Sequence, residues 1–390
     1  MPMLTKTHSD PAPAPAPVLA QRAKRPRDPR LDVFRGVGML IILVAHVPSD
    51  HWALWIPARF GFSDATEMFV FLSGMASAIA FGRLFDREGT LMLTARVVQR
   101  IWQIYWSHIC VFLVIATLMS LAGNKPDGTS YIQSLNLVRF FDDPAPLLIG
   151  LLTLTYVPNY FDILPMYMVI LALMPVMLLA ERIHRLLPMV LMALLWLTAQ
   201  FSLVHFPAEP WTERPWFFNP FGWQLIFFLG FFLMRGTFVA PPLNRWLMTL
   251  AFVIVVTTIP FAWYMILNAS PFFREAAHAL LPLTDKTAFG LLRLIHFLAL
   301  AYIAVHAVGV GGRRLLHPIV YPVTGVLMKV GQQSLAVFII GMVVAQIIGI
   351  WLDHAGRTPL PTAIANLAGF TVLIATAYLV GWFKAAPWKT

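Results

Sequence analysis

Apolar runs of about 20 residues, each long enough to cross the roughly 30 Å hydrocarbon core of a bilayer, recur along almost the whole chain. Within such a core every backbone N–H and C=O has to be satisfied internally, so a helix is the element that each run specifies. Ten runs are recognised, near 33–50, 61–82, 98–122, 144–180 (the helix proper from about 163), 187–206, 218–235, 246–267, 288–309, 322–352 and 361–384. Composition agrees: 59% of residues are hydrophobic and 12% charged, where a soluble domain carries about 25% charged residues. The expectation is an all-α, polytopic integral membrane protein with about ten transmembrane helices.

Charge placement gives these helices a direction. With the N-terminus inside, 20 of the 28 Lys and Arg fall on inner ends and loops, whereas twelve of the 18 acidic residues fall outside. Short cytoplasmic loops are rich in Lys and Arg, so both termini are expected in the cytoplasm. The net charge of +10 is therefore a topology signal rather than the footprint of a nucleic-acid partner. Residues 1–30 carry PAPAPAP at 11–17 and a basic stretch at 21–30, which reads as a disordered tail retained on the cytoplasmic side. Residues 31–386 read as a single transmembrane domain. The one cysteine, Cys110, excludes an internal disulfide framework and is expected as a core thiol.

The first apolar run is interrupted by Arg35 and His46, with only apolar residues and glycines between them. Eleven steps of about 100° return to nearly the same helix face, and a rise of about 1.5 Å per residue separates the two by roughly 16 Å. Ionisable groups inside a membrane helix are costly, which marks the pair as a functional site. The second run begins SDATE and continues FVFLSGM, which puts Glu67 near the depth of His46 with Asp64 close by. Glu67 is expected either to orient the imidazole of a general base or to sit in a buried ion pair. Ser73 with Gly74 marks a close helix contact or an opening for a thioester arm.

In the third run Arg96 and Arg100 lie one turn apart at the inner boundary. Together with Arg35 they suit an anionic, phosphate-bearing ligand, and boundary arginines also serve topology. Arg293 and His296 share one face of the eighth run, as cavity lining or as an internal pair. Asn219 and Gln224 in the sixth are hydrogen-bonding groups for a polar substrate or for a neighbouring helix. His108, two turns beyond Arg100, reads as a buried hydrogen-bonding histidine. The chain has no glycine-rich phosphate loop, no zinc-type His–Glu–His motif and no serine elbow. Its histidines are scattered singly, so no metal site is expected.

The stretches RDPRLDVFRG (27–36), SDATEMFVFLSGM (63–75), LPMY (164–167), NPFGWQLIFFLG (219–230) and LLRLIHFLALAY (291–302) resemble the OpgC family of bacterial inner-membrane proteins that succinylate osmoregulated periplasmic glucans. More distantly the chain resembles the acyltransferase-three group, whose first-helix signature of a basic residue, ten residues and a histidine corresponds to Arg35 and His46. That group's basic third-helix pair corresponds to Arg96 and Arg100. The resemblance implies O-acyl transfer from cytoplasmic acyl-CoA, most simply succinyl-CoA as co-substrate, to a periplasmic glucan hydroxyl at the inner membrane. His46 and Glu67 would be catalytic, and Arg35, Arg96 and Arg100 would bind acyl-CoA. Asp64, Ser73, Asn219, Gln224, Arg293 and His296 would be further cavity residues. Two other readings fit the same residues: acetyl transfer to another surface polysaccharide, and a transporter that moves an ion or glycan along the intramembrane charges.

Overall fold

A computed structural model describes residues 28–389. Residues 1–27, and with them most of the expected tail, lie outside the described residues. Asp28 and Arg30 are described: the Asp28 carboxylate accepts from the Arg30 N–H at 3.0 Å and pairs with its guanidinium at 2.7 Å, capping the first helix. Among the described residues the fold is helical throughout, with two isolated bridges as its extended pairings.

The principal helices are α1 (Pro29–His46), α2 (Ala65–Ser77), α3 (Arg83–Ala122), α4 (Ile163–Ala172), α5 (Met174–Ile183), α6 (Leu187–Gln200), α7 (Pro220–Arg235), α8 (Arg245–Thr258), α9 (Leu291–Ala307), α10 (Tyr321–Gln332), α11 (Ser334–Ala355) and α12 (Pro359–Ala385). Four helical segments are long and apolar enough to cross a membrane: Ala65–Ala122, Ile163–Ile183, Ser334–Ala355 and Pro359–Ala385. The bent pair Leu291–Ala307 and Val310–Leu316 makes a fifth when taken together. The fold is thus that of a helical membrane protein whose other helices are shorter than the runs read from sequence. The expected spans at 187–206, 218–235 and 246–267 are helices of 14, 16 and 14 residues. The second and third expected spans form one helical run, broken where Gly89 adopts φ 76°.

Two helix crossings build the frame around α1 and α2. A Cβ on Gly36 of α1 would lie 2.1 Å from the Leu327 carbonyl oxygen of α10, and one on Gly331 would lie 1.9 Å from the Asp32 carbonyl oxygen. The same reciprocal contact joins α2 to α7, where a Cβ on Gly74 would lie 1.9 Å from the Phe227 carbonyl oxygen and one on Gly230 2.4 Å from that of Phe71. Small residues let membrane helices approach to backbone contact, so Gly74 is a packing position. Ser73 beside it is buried.

α7 is apolar on all sides, and Trp223, Phe227, Phe228, Phe231 and Phe232 are fully buried, as befits a helix at the centre of a bundle. Asn219 caps it, its Oδ1 accepting from the Phe221 N–H at 2.9 Å, and Pro220 occupies the first turn. Two sequence expectations are corrected here. Cys110 is exposed on α3 rather than packed in the core. His108 is fully buried, but neither ring nitrogen has a hydrogen-bond partner.

Candidate functional site

α1 and α2 lie side by side and run in opposite directions. The Arg35 Nη2 donates to the Leu72 carbonyl at 2.8 Å, and Gly38 faces Met68. His46 at the far end of α1 therefore arrives beside the start of α2, where it and Asp64 line a common cavity. This cavity measures about 440 Å³ and is walled by α1 through Ile41, Ile42, Ala45 and His46. The start of α2 contributes Asp64, Ala65 and Thr66, the segment before α4 contributes Asn159, Tyr160 and Asp162, and Phe217, Phe218 and Lys286 are also in the wall.

The chemistry of His46 follows from its hydrogen bond. Its Nδ1 lies 2.7 Å from the Ile42 carbonyl oxygen, one turn back on the same helix. A carbonyl only accepts, so Nδ1 carries a hydrogen, and in the neutral imidazole Nε2 keeps the lone pair. The Tyr160 ring meets the imidazole edge-on at 5.1 Å between centroids, and the Tyr160 hydroxyl is anchored on the Met342 carbonyl at 2.7 Å. The imidazole is thus oriented by its own helix and braced by a neighbouring ring.

Of the two parts expected for Glu67, the structure shows the buried ion pair and not contact with the imidazole. The D-x-x-E spacing at 64–67 makes a capping box: the Asp64 side chain accepts from the Thr66 N–H, and Glu67 Oε2 accepts from the Asp64 N–H at 2.8 Å. The other Glu67 oxygen accepts from Arg293 Nε at 2.7 Å and Nη2 at 2.5 Å. Glu67 is fully buried in this pair, and its carboxylate holds the start of α2 to α9 rather than holding the imidazole. Asp64 pairs with Lys286 at 2.5 Å and lies 3.6 Å from Arg293 Nη2.

Arg293 and His296 stand behind α2 instead of lining the cavity with His46. The Ser63 N–H points at His296 Nδ1 at 3.2 Å and the Ser63 hydroxyl lies 2.7 Å from the same nitrogen, so Nδ1 is the acceptor. His296 Nε2 is buried against Gly61, where a Cβ would come within 2.1 Å of it. Gln224 is fully buried and donates to the Met192 carbonyl of α6 at 2.8 Å, and Asn219 serves as a helix cap. Both join helices. Arg96 and Arg100 are on the outer surface of α3, where each donates to a glutamine one turn along, Gln99 and Gln103. Arg35 is half-buried against α2.

Asn159, Tyr160, Asp162 and Lys286 are cavity residues that reading the sequence did not single out. Their signal is present in PNYFD, one residue ahead of LPMY, and in the charged pair Asp285–Lys286 just before the eighth run. Asp162 is 3% exposed, and its Oδ1 accepts from the Phe217 N–H at 2.9 Å. It stands in the loop ahead of α4, where burial outweighs that hydrogen bond and pushes its carboxyl up to about 6. Among the described residues no group of three or more His, Cys, Asp or Glu is placed to hold a metal ion.

The arrangement offers an imidazole nitrogen in a partly open cavity, beside a Lys–Asp ion pair and a separate carboxyl, which suits proton transfer to or from a bound hydroxyl. No curated protein and no solved structure matches the chain. A family model described as OpgC protein matches residues 27–385, nearly the whole chain. It spans both walls of the cavity, from α1 with Arg35 and His46 to Lys286, and the protein belongs to the OpgC family.

Proposed function

We propose that the protein is a membrane O-acyltransferase that moves a succinyl group from cytoplasmic acyl-CoA to a hydroxyl of a periplasmic glucan. The observation that carries this reading is His46, with Nδ1 committed to the Ile42 carbonyl and the ring facing a cavity of about 440 Å³ in an OpgC-family chain. The hydroxyl oxygen attacks the thioester carbonyl carbon while His46 Nε2 takes the hydroxyl proton. The C–S bond then breaks, and the imidazolium returns the proton to the departing thiolate. An acyl-imidazole route would use the same nitrogen, and mass spectrometry after incubation with donor alone separates the two.

The orientation belongs to the same proposal. Both termini lie in the cytoplasm of a bacterial cell, the membrane is the inner one, and His46 faces the periplasmic half. Arg35, half a membrane away on α1, and Arg96 and Arg100 on α3 would meet the phosphates of the donor.

The test is acyl transfer by the purified full-length protein from labelled succinyl-CoA to periplasmic glucan, with His46→Ala as comparison. Transfer by the parent and loss in the variant is the expected result. Equal transfer by the variant sinks the role of His46. Movement of glucan across vesicles without acylation points to a transporter, and transfer from acetyl-CoA in preference to succinyl-CoA points to an acetyltransferase.

A further inference from the structure

Lys286 in the cavity wall and Arg293 behind it are committed to Asp64 and Glu67. Asp162 differs from those two carboxyls. It is buried in the wall of the same cavity, and its carboxyl is held by a backbone N–H, that of Phe217 on Oδ1, with no ion-pair partner within 4.0 Å among the described residues. Its loop is fixed at both sides, by the Tyr160 hydroxyl on Met342 of α11 and by Phe217. Two residues before Asp162 stands the ring that braces His46, so the carboxyl and the imidazole border one space. Asn159 lies on the same wall, and Phe217 and Phe218 set their rings at 82° to each other beside it.

A rigid carboxyl and an amide among aromatic rings form the lining that grips a sugar ring: the oxygens take hydroxyl protons, the amide bonds a further hydroxyl, and the rings cover the C–H face. We infer that Asp162, with Asn159, Phe217 and Phe218, forms the acceptor subsite, in which Asp162 accepts a hydrogen bond from a sugar hydroxyl next to the one that His46 deprotonates. This inference rests on the acyl-acceptor reading of the cavity and names the residues that hold the acceptor. Asp162 is a positioning residue: it aligns the reacting hydroxyl and takes no part in bond making.

The test uses the full-length protein and two substitutions. Asp162→Asn keeps an oxygen for the Phe217 N–H and removes the charged acceptor, and Asp162→Glu restores the charge on a longer arm. Binding of periplasmic glucan is measured directly by calorimetry, and KM for glucan and for succinyl-CoA are measured in steady state. The expected result for Asp162→Asn is at least tenfold weaker glucan binding and a KM for glucan raised at least tenfold. KM for succinyl-CoA stays at the parental value, and Asp162→Glu recovers part of the affinity. Unchanged glucan binding overturns the subsite, as does an equal loss toward donor and acceptor. If the parent transfers no acyl group, the acyltransferase reading fails while the calorimetric comparison still decides the subsite.

Discussion

The pair of helices α2 and α7 carries a charged cluster at each end, and the two clusters are built differently. The Trp223 indole donates to the Lys286 carbonyl at 2.8 Å, so both helices start at the cavity. At their other end Arg235 donates through Nε to Glu181 at 2.5 Å, and through Nη1 and Nη2 to both oxygens of Asp86 at 3.0 and 2.7 Å. Thr237 adds a second bond to Glu181. That forked pairing ties α3, α5 and α7 together. At the cavity end Asp64 serves as helix cap, ion-pair partner and wall at once, and Lys286 beside it also faces the cavity. At the far end the charged groups bond to one another and hold helices, whereas Asp64 and Lys286 bond to each other and also border the cavity.

Disrupting each end in turn tests this contrast. The largest effect is expected at His46: if its imidazole is the general base, His46→Ala lowers kcat by about 10²–10⁴-fold, while thermal unfolding in detergent stays at the parental midpoint. Next comes Glu67→Ala, which leaves Arg293 without its buried partner and is expected to lower stability by about 3–5 kcal/mol. Chemical denaturation in mixed micelles measures it. Glu67→Gln keeps the cap acceptor and should lose less, and activity per folded molecule should survive better in it than in His46→Ala.

At the far end Arg235→Ala is expected to cost about 1.5–3 kcal/mol for its charged hydrogen bonds, with KM for both substrates unchanged. A shift in glucan KM would break the distinction between the ends. The smallest effect concerns pH. With its carboxyl pushed up to about 6 by burial, Asp162 is mostly ionised at pH 7 and mostly protonated at pH 5. Its capacity to accept from a hydroxyl then falls about tenfold over that interval, so KM for glucan rises as pH falls. His46, Asp64 and Lys286 share the cavity, and the field of Arg214 also reaches Asp162. Asp162→Asn should flatten the KM profile while the separate fall of kcat with His46 protonation remains.

How much of this was legible in the sequence depended on range. Helical fold and membrane character follow from local composition, and the shared face of Arg35 and His46 follows from 3.6-residue periodicity. Glu67 was recognised as important, but its partner Arg293 is 226 residues away and no spacing rule reaches that far. Helical spacing puts His296 on one face with Arg293 without saying what that face meets, and its contact with Ser63 and Gly61 places it behind α2. The cavity wall at Asn159–Asp162 belongs to a loop, where hydrophobic periodicity carries no signal. Helix lengths differ from the runs for a related reason: apolar runs include loop residues, so helices such as Leu187–Gln200 end earlier than the run does.

The hydrogen bond from His46 to Ile42 has a consequence for how such a site can diversify. The imidazole takes its orienting partner from its own helix, one turn back, so no other element has to supply it. The opposite wall comes from separate loops around Asp162, Phe217 and Lys286. The segments around Phe217 and Lys286 can change without touching that bond, whereas the loop around Asp162 also carries Tyr160, whose ring braces the imidazole, so α1 and that loop have to change together.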